Sequence, residues 1–300
     1  MKLLVTGGTG LVGSAISADI KISSKDVDLK DLHATNAAFK VLKPTHVIHC
    51  AGRVGGLGGN LNAKGEYYYD NITINTNVIE ACRRSGVGKL VCFLSTCVFP
   101  DKAEYPLTED KIHLGEPHSS NFGYAYAKRM ADVQIRAYRE QYGLNYMCVI
   151  PTNIYGPNDN FDIENGHVLP SLIHKCYLAK KNNTDFEVWG SGEPLREFLY
   201  SKDVATICKL LLERYNGNEP IILSSSIEYS IKQIVEMIVD IMEFKGNIKW
   251  LSDKPDGQYR KPADNSKLLS IIPELKFTPI EIGLKETIQW FISNYENARK

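Results

Sequence analysis

Three hundred residues, 43% hydrophobic and 23% charged, suffice for a sizeable core in one large or two modest domains. The 35 basic and 35 acidic side chains cancel, which excludes a broad electrostatic footprint for nucleic acid or membrane surface but not a local anion pocket. Seven scattered cysteines without a CxxC spacing fit a reducing, cytoplasmic setting better than a disulfide framework or a zinc ribbon, so no metal is expected. No apolar run reaches the roughly 20 residues that a bilayer span needs.

The chain opens on "KLLVT" (2–6), a strand running into a glycine turn, and an export signal is not expected there. A helix follows over 11–20, "LVGSAISADI", with a short second strand in "DIKIS". Then come a helix over 30–43, a strand "HVIHCA" (46–51), a helix over 71–86 and a strand "KLVCFLS" (89–95). The long helix "FGYAYAKRMADVQIRAYREQYG" (122–143) leads to the strand "NYMCVIP" (145–151). Continuous apolar runs of this length are the mark of parallel strands buried on both faces. After about Pro157 the rhythm loosens, and two amphipathic helices are predicted over 230–244 and 280–297.

"TGGTGLVG" sets Gly7, Gly10 and Gly13 as GxxGxxG between the first strand and the first helix, where bare backbone amides and the helix dipole can hold a pyrophosphate. Alone, the pattern fits an ordinary tight turn equally. With the strand and helix alternation it predicts a Rossmann-like doubly wound parallel sheet of the α/β class, with a smaller C-terminal α/β substrate domain. The expected boundaries are 1–165 for the dinucleotide-binding domain, with returns from about 191–225, and 166–190 with 226–300 for the substrate domain.

Tyr124 and Lys128 in "YAYAK" lie one helical turn apart on one face, so the ammonium is expected to lower the phenol's pKa toward that of a working general acid. YxxxK also arises by accident. Ser95 at the carboxyl end of the preceding strand changes the reading, because sites in such sheets lie outside the carboxyl ends of the strands. Ser95, Tyr124 and Lys128 together can hold a carbonyl oxygen while a hydride arrives.

These motifs resemble the extended short-chain dehydrogenases. "RVGGLGGN" (53–60), "LSTCVFPD" (94–101), "NFGYAYAKRM" (121–130), "PTNIYGPNDNF" (151–161), "NGHVLPSLIHK" (165–175), "VWGSGEPLREF" (188–198) and "DGQYRKPADNSKL" (256–268) narrow the resemblance to the GDP-L-fucose synthases over nearly the whole chain. The resemblance implies an NADP-dependent oxidoreductase with epimerase activity. Its substrate would be GDP-4-keto-6-deoxymannose, inverted at C3 and C5 and reduced at C4. In the family a Cys and a His exchange protons with the ring carbons, and they match Cys97 and His167. Ser95 and Tyr124 would hydrogen-bond the C4 oxygen through both reactions.

By the same resemblance the cofactor is NADPH/NADP+. It would touch Gly7, Thr9, Gly10, Leu11, Val12 and Gly13 of the turn, then Ser24, Lys25, Asp28 and Leu29 beyond the second strand. Ala51 and Gly52, Lys128, Pro151, Thr152, Asn153, Ile154 and His167 complete its contacts. Substrate contacts fall on Lys175, Trp189, Arg196 and Asp256, cations for a diphosphate with a ring and a carboxylate for the nucleotide. A homodimer through the helices 71–85 and 122–142 is implied as well. "GGLGG" (55–59) serves either a close backbone approach to the sugar or a turn.

Plainer readings stand beside these. Taken singly, Cys97 fits core packing, His167 a helix cap, Trp189 core and Lys175 a solvated helix face. His33, His46, His49, His113, His118 and His174 read as structural. The region after the first helix is shorter than the family's and offers only Ser23, Ser24 and Lys25 to a 2′-phosphate, and Leu11 stands where bacterial relatives are often basic, so only a modest NADPH preference is expected. An epimerase-reductase for a dTDP- or UDP-linked sugar, a simple 4-epimerase and a non-catalytic binding module of the same fold are the alternatives. Cys97 and His167 argue against the 4-epimerase, and an intact Tyr124–Lys128 pair against the binding module.

Overall fold

The alternation of side chains along the apolar strands accounts for the layers. The computed structural model describes residues 1–253 and 258–300. In chain order its elements begin β1 (Leu3–Thr6), α1 (Leu11–Ala15), β2 (Ile20–Ile22), α2 (Leu32–Leu42), β3 (His46–His49), α3 (Leu57–Asn62), α4 (Lys64–Arg84) and β4 (Lys89–Phe93). They continue α5 (Phe122–Tyr142), β5 (Asn145–Pro151), β6 (Asn153–Tyr155), α6 (Val168–Asn182), β7 (Phe186–Trp189), β8 (Leu195–Tyr200) and α7 (Ser201–Arg214). The last are β9 (Ile221–Leu223), β10 (Glu228–Ser230), α8 (Ile231–Met242), β11 (Ile248–Leu251), α9 (Ser266–Ile271) and α10 (Ile280–Ser293).

The expected doubly wound parallel sheet is present, in the order β2-β1-β3-β4-β5-β9. Leu90 and Cys92 of β4 and Tyr146, Cys148 and Ile150 of β5 face one core, with Phe39 of α2, Val78 and Ile79 of α4 and Ile135 of α5. Val91, Phe93, Met147 and Val149 point the other way, onto Ile16 and onto Ile207, Cys208 and Leu211 of α7. A period of two with both faces apolar is what two covering helix layers demand. The chain runs from β1 to β2 on one side and to β3 on the other, so the β1/β3 crevice is the topological switch point.

Two expectations are corrected. The helix predicted over 11–20 stops at Ala15, because the chain must turn back within a few residues to pair Ile20 with Leu4. Ile16 drops into the core and Asp19 accepts a 2.7 Å bond from the Leu3 amide. Conversely, α4 starts at Lys64 rather than near 71. Its first two turns bury Tyr67 and Asn71, too polar a face for apolar periodicity to reveal.

A second core gathers Tyr155, Phe161, α6, Val188, Phe198, α8 and α10, while Leu268 of α9 and Ile272 pack on the main sheet. Smaller sheets, β10-β8-β6 and β11-β7, belong to this half. Phe291 stacks on Phe161 with centroids 4.3 Å apart, and α8 opens with a capping box between Ser230 and Gln233. Among the described residues no helix is long and apolar enough to cross a membrane. Phe291→Ala is expected to cost about 3–5 kcal/mol and Ser230→Ala about 1 kcal/mol, both read from denaturant unfolding. Equal losses from the two would show that the aromatic stack does not hold the second core.

Candidate active site

Beyond β4 the backbone stays extended at Ser95 and closes into a 3-10 turn over Thr96–Val98, with the Ser95 hydroxyl accepting from the Cys97 amide at 3.3 Å. That turn holds the hydroxyl and the thiol on one short segment. Cys97 Sγ accepts a 3.0 Å bond from Asn121 Nδ2 at the start of α5. Arg129, buried on α5, donates to the Val98 carbonyl at 2.5 Å and pins the turn from behind.

Tyr124 rises from the first turn of α5 and is buried beside Ser95. Burial pushes its phenol well up, the Cys97 sulfur adds to this, and a hydrogen bond with Ser95 pulls against it. The expectation that Lys128 lowers this pKa is therefore corrected. The ammonium lies 5.8 Å from the Tyr124 ring centroid and donates to the Phe93 carbonyl at 2.9 Å, so desolvation governs the phenol. Lys128 itself is pushed down by burial.

The glycine turn follows β1. Gly7 has φ +71°, and a Cβ on it would lie 2.9 Å from Ala51; one on Gly13 would lie 2.2 Å from the Gly7 carbonyl. Both positions thus require glycine, and the turn presents bare backbone at the switch point beside Ala51 and Gly52. Thr9 is exposed, Leu11 half-buried and Val12 buried. Gly52 faces Lys128 Nζ and Asn71 Oδ1, a buried acceptor with no partner among the described residues. Pro151 and Thr152 are buried at the end of β5, Asn153 donates to the Glu197 carbonyl at 2.9 Å, and Ile154 is half-buried. After β2, Ser24, Lys25 and Asp28 are exposed and Leu29 is buried, while Asp26 accepts from both the amide and the hydroxyl of Ser23 at 2.8 Å. The carboxylate and the Ser23 hydroxyl thus satisfy each other.

In the second half of the chain Lys175 Nζ sits 4.3 Å from the Trp189 ring centroid. Arg196 donates to the carbonyls of Leu195 and Tyr259. Burial pushes both cations down. His167 is the N-cap residue of α6, half-buried and pushed down by burial alone. Asp256 lies outside the described residues.

Residues 3–224 match the model of the NAD dependent epimerase/dehydratase family. A GDP-L-fucose synthase of Dictyostelium discoideum is 51% identical, over 99% of this chain and 97% of its own. A probable GDP-L-fucose synthase of Drosophila melanogaster is 44% identical over 100% and 99%. The chain belongs to the GDP-L-fucose synthases of that family. Among solved structures, a GDP-L-fucose synthetase from Naegleria fowleri bound to NADP aligns with a TM-score of 0.94 at 47% identity, covering 99% of this chain and 96% of that one.

In this GDP-L-fucose synthase family member, several residues beside the site carry no motif of their own. Lys261 is pushed down by burial, with the Cys97 sulfur opposing and Arg196 adding, so it shares the cleft with both. Asn121 and Arg129 flank YxxxK, and only their partners' positions reveal them. His49, read as structural, is fully buried between Thr6 Oγ1 at 2.7 Å and Asn75 Oδ1 at 3.1 Å, behind the glycine turn. Burial, reinforced by the Lys128 charge, pushes it down to about 3.

The folded chain thus keeps His49 neutral where the unfolded chain protonates it. Stability from this source is complete above about 6.5 and is lost as pH falls toward about 3. Over that window wild type should lose about 1.4 kcal/mol more per pH unit than His49→Gln, measured by urea unfolding at pH 7 to 4. Parallel profiles would mean that the imidazole takes up its proton inside the fold.

Proposed function

We propose that this chain inverts C3 and C5 of GDP-4-keto-6-deoxymannose and reduces the C4 ketone with NADPH, giving GDP-L-fucose. The observation that carries this reading is the end of β4, where a hydroxyl, a phenol and a thiol meet above a buried ammonium. Full-length relatedness to GDP-L-fucose synthases, one solved with NADP bound, supports the substrate and the cofactor. The residues fit that cofactor. The bare Gly7–Gly13 turn would hold its diphosphate, and Lys128, with one bond to Phe93, has donors left for ribose hydroxyls. When bound, NADPH supplies the hydride for C4.

The 4-ketone acidifies the hydrogens on C3 and C5, because the carbanion is stored as an enolate on the C4 oxygen. Ser95 and Tyr124 donate to that oxygen and stabilise the enolate. Tyr124, kept protonated by its burial, then gives its proton to the alkoxide. Cys97 and His167 form the acid and base pair that removes and returns protons at the ring carbons. The Asn121 bond holds Sγ in place, and burial favours the neutral imidazole. Lys175, Arg196 and Lys261 have no carboxylate partner among the described residues, and their partial desolvation suits a bound diphosphate.

We assign the enzyme to the cytoplasm, in keeping with its seven free cysteines, and to a homodimer. Tyr69 of α4 and Met130 and Val133 of α5 stand exposed on neighbouring helices, a surface suited to a four-helix contact across a two-fold axis. Light scattering at micromolar concentration should give twice the chain mass, and a monomer would remove the assignment.

The two chemistries separate by mutation. In deuterated water, Cys97→Ser should lose label uptake at C3 and C5 by about 100-fold or more while still binding NADP+. Tyr124→Phe should lower NADPH oxidation by about 100-fold and keep measurable exchange. Wild-type exchange in Cys97→Ser would leave the thiol a purely structural part.

A further inference from the structure

Four glycines flank or lie within α3, and none of them has a positive φ. What they share is crowding. A methyl on Gly56 would lie 2.2 Å from the Gly166 carbonyl oxygen, and one on Gly58 would lie 2.8 Å from that of Glu164. On Gly55 it would meet the Tyr67 hydroxyl at 2.2 Å and the Asn165 carbonyl at 3.2 Å. On Gly59 it would meet the same hydroxyl at 2.7 Å and Asn165 Oδ1 at 3.4 Å. The close approach is to the chain's own backbone immediately before His167.

Both partners in this contact are stiff. The Gly56 amide donates to the Asn165 carbonyl at 2.7 Å, and Asn60 Nδ2 donates to the carbonyls of Gly55 and Gly56 at 2.9 and 3.0 Å. The facing turn is closed by Asp162, whose carboxylate accepts from the amides of Glu164 and Asn165 and whose carbonyl accepts from Gly166. Tyr67 connects this contact to the reaction centre. Its ring meets Tyr124 edge-on, with centroids 6.5 Å apart, and the Arg53 guanidinium covers it at 5.0 Å, held by Glu66 and Asp70. Among the described residues no hydrogen bond orients the His167 ring. The imidazole's place is therefore set by its backbone, and its backbone by the turn seated on the glycines.

We propose that Gly56, with Gly55, Gly59 and Tyr67, is a positioning device that sets the distance of the His167 imidazole from the sugar carbon it serves. The inference rests on His167 being one of the two proton-transfer groups. A methyl at position 56 moves the turn by about an ångström, and a misplacement of that size costs proton transfer about 100-fold. Hydride transfer at C4 depends on Ser95, Tyr124 and Lys128, which the glycines do not touch.

The test measures two activities on each variant. One is solvent deuterium uptake at C3 and C5 of the 4-keto sugar without cofactor. The other is the initial rate of GDP-L-fucose oxidation by NADP+, which needs no epimerisation. His167→Asn marks the carbon that the histidine serves. Gly56→Ala should lose exchange at that carbon by about 100-fold, with KM for the 4-keto sugar and the rate of GDP-L-fucose oxidation at saturating NADP+ within about twofold of wild type. Gly59→Ala should lose less, and Gly59→Ala/Tyr67→Phe should recover it, because removing the hydroxyl leaves the new methyl no contact shorter than 3.4 Å. Gly65→Ala on α4, with nothing within 4 Å, should behave as wild type.

Wild-type exchange in Gly56→Ala, or equal loss of exchange and oxidation, overturns the proposal. If Gly56→Ala does not fold, the Gly59 and Tyr67 pair decides, and failure of the double variant to recover exchange has the same force. Undiminished exchange in His167→Asn instead removes the histidine from the chemistry, an outcome separable from a failure of the glycine contact alone.

Discussion

The site depends on one buried charge. Lys128 places its ammonium against the last carbonyl of β4 and under the Tyr124 ring. A buried ammonium is costly unless it is hydrogen-bonded, so the first turns of α5 must lie against the end of β4 in one register. Ser95, Cys97 and Tyr124 inherit that register: two ride on the strand end, the third lies one turn before the lysine. Arg129, one residue beyond Lys128, fixes the Cys97 turn through the Val98 carbonyl.

The segment after Cys97 is tied to β8 and to the segment around Ala263. Leu107 exchanges backbone bonds with Pro262 and Asp264, both at 2.9 Å. Ala263, between those two, donates to the buried carboxylate of Glu197, which also takes the Ser224 hydroxyl at 2.6 Å. Glu197 and Ala263 are the chain neighbours, or nearly so, of Arg196 and Lys261. The thiol segment and the cations of the opposite wall are therefore parts of one hydrogen-bonded assembly, and changing the hold on either shifts the other.

The main sheet was legible because its strands are buried on both faces and read as apolar runs. β1, β3, β4 and β5 lie where those runs lie, and the glycine turn, Ser95, Tyr124 and Lys128 follow from their places at strand ends and on one helix face. The length of α1 was not legible, because the pull of β2 pairing on the chain is a tertiary effect. Nor was the start of α4, whose buried face is Tyr67, Asn71 and Asn75, polar side chains that bond to the Tyr67 carbonyl and to His49 instead of forming an apolar stripe. Lys261, Asn121 and Arg129 escape for a related reason: each matters through a partner far away in the sequence. The glycines near α3 could be counted in the sequence, but the surface that they meet, residues 164–166, is about a hundred residues distant.

The seven cysteines divide sharply by setting. Cys82, Cys92, Cys148, Cys176 and Cys208 are buried. Cys50 keeps some surface, yet desolvation holds its thiol protonated. Cys97 is partly open, and its sulfur accepts a hydrogen bond from an amide nitrogen. A small thiol-directed electrophile therefore meets one favoured thiol per folded chain, and alkylation becomes a titration of intact sites: the stoichiometry of labelling counts folded protein, and bound sugar should shield it.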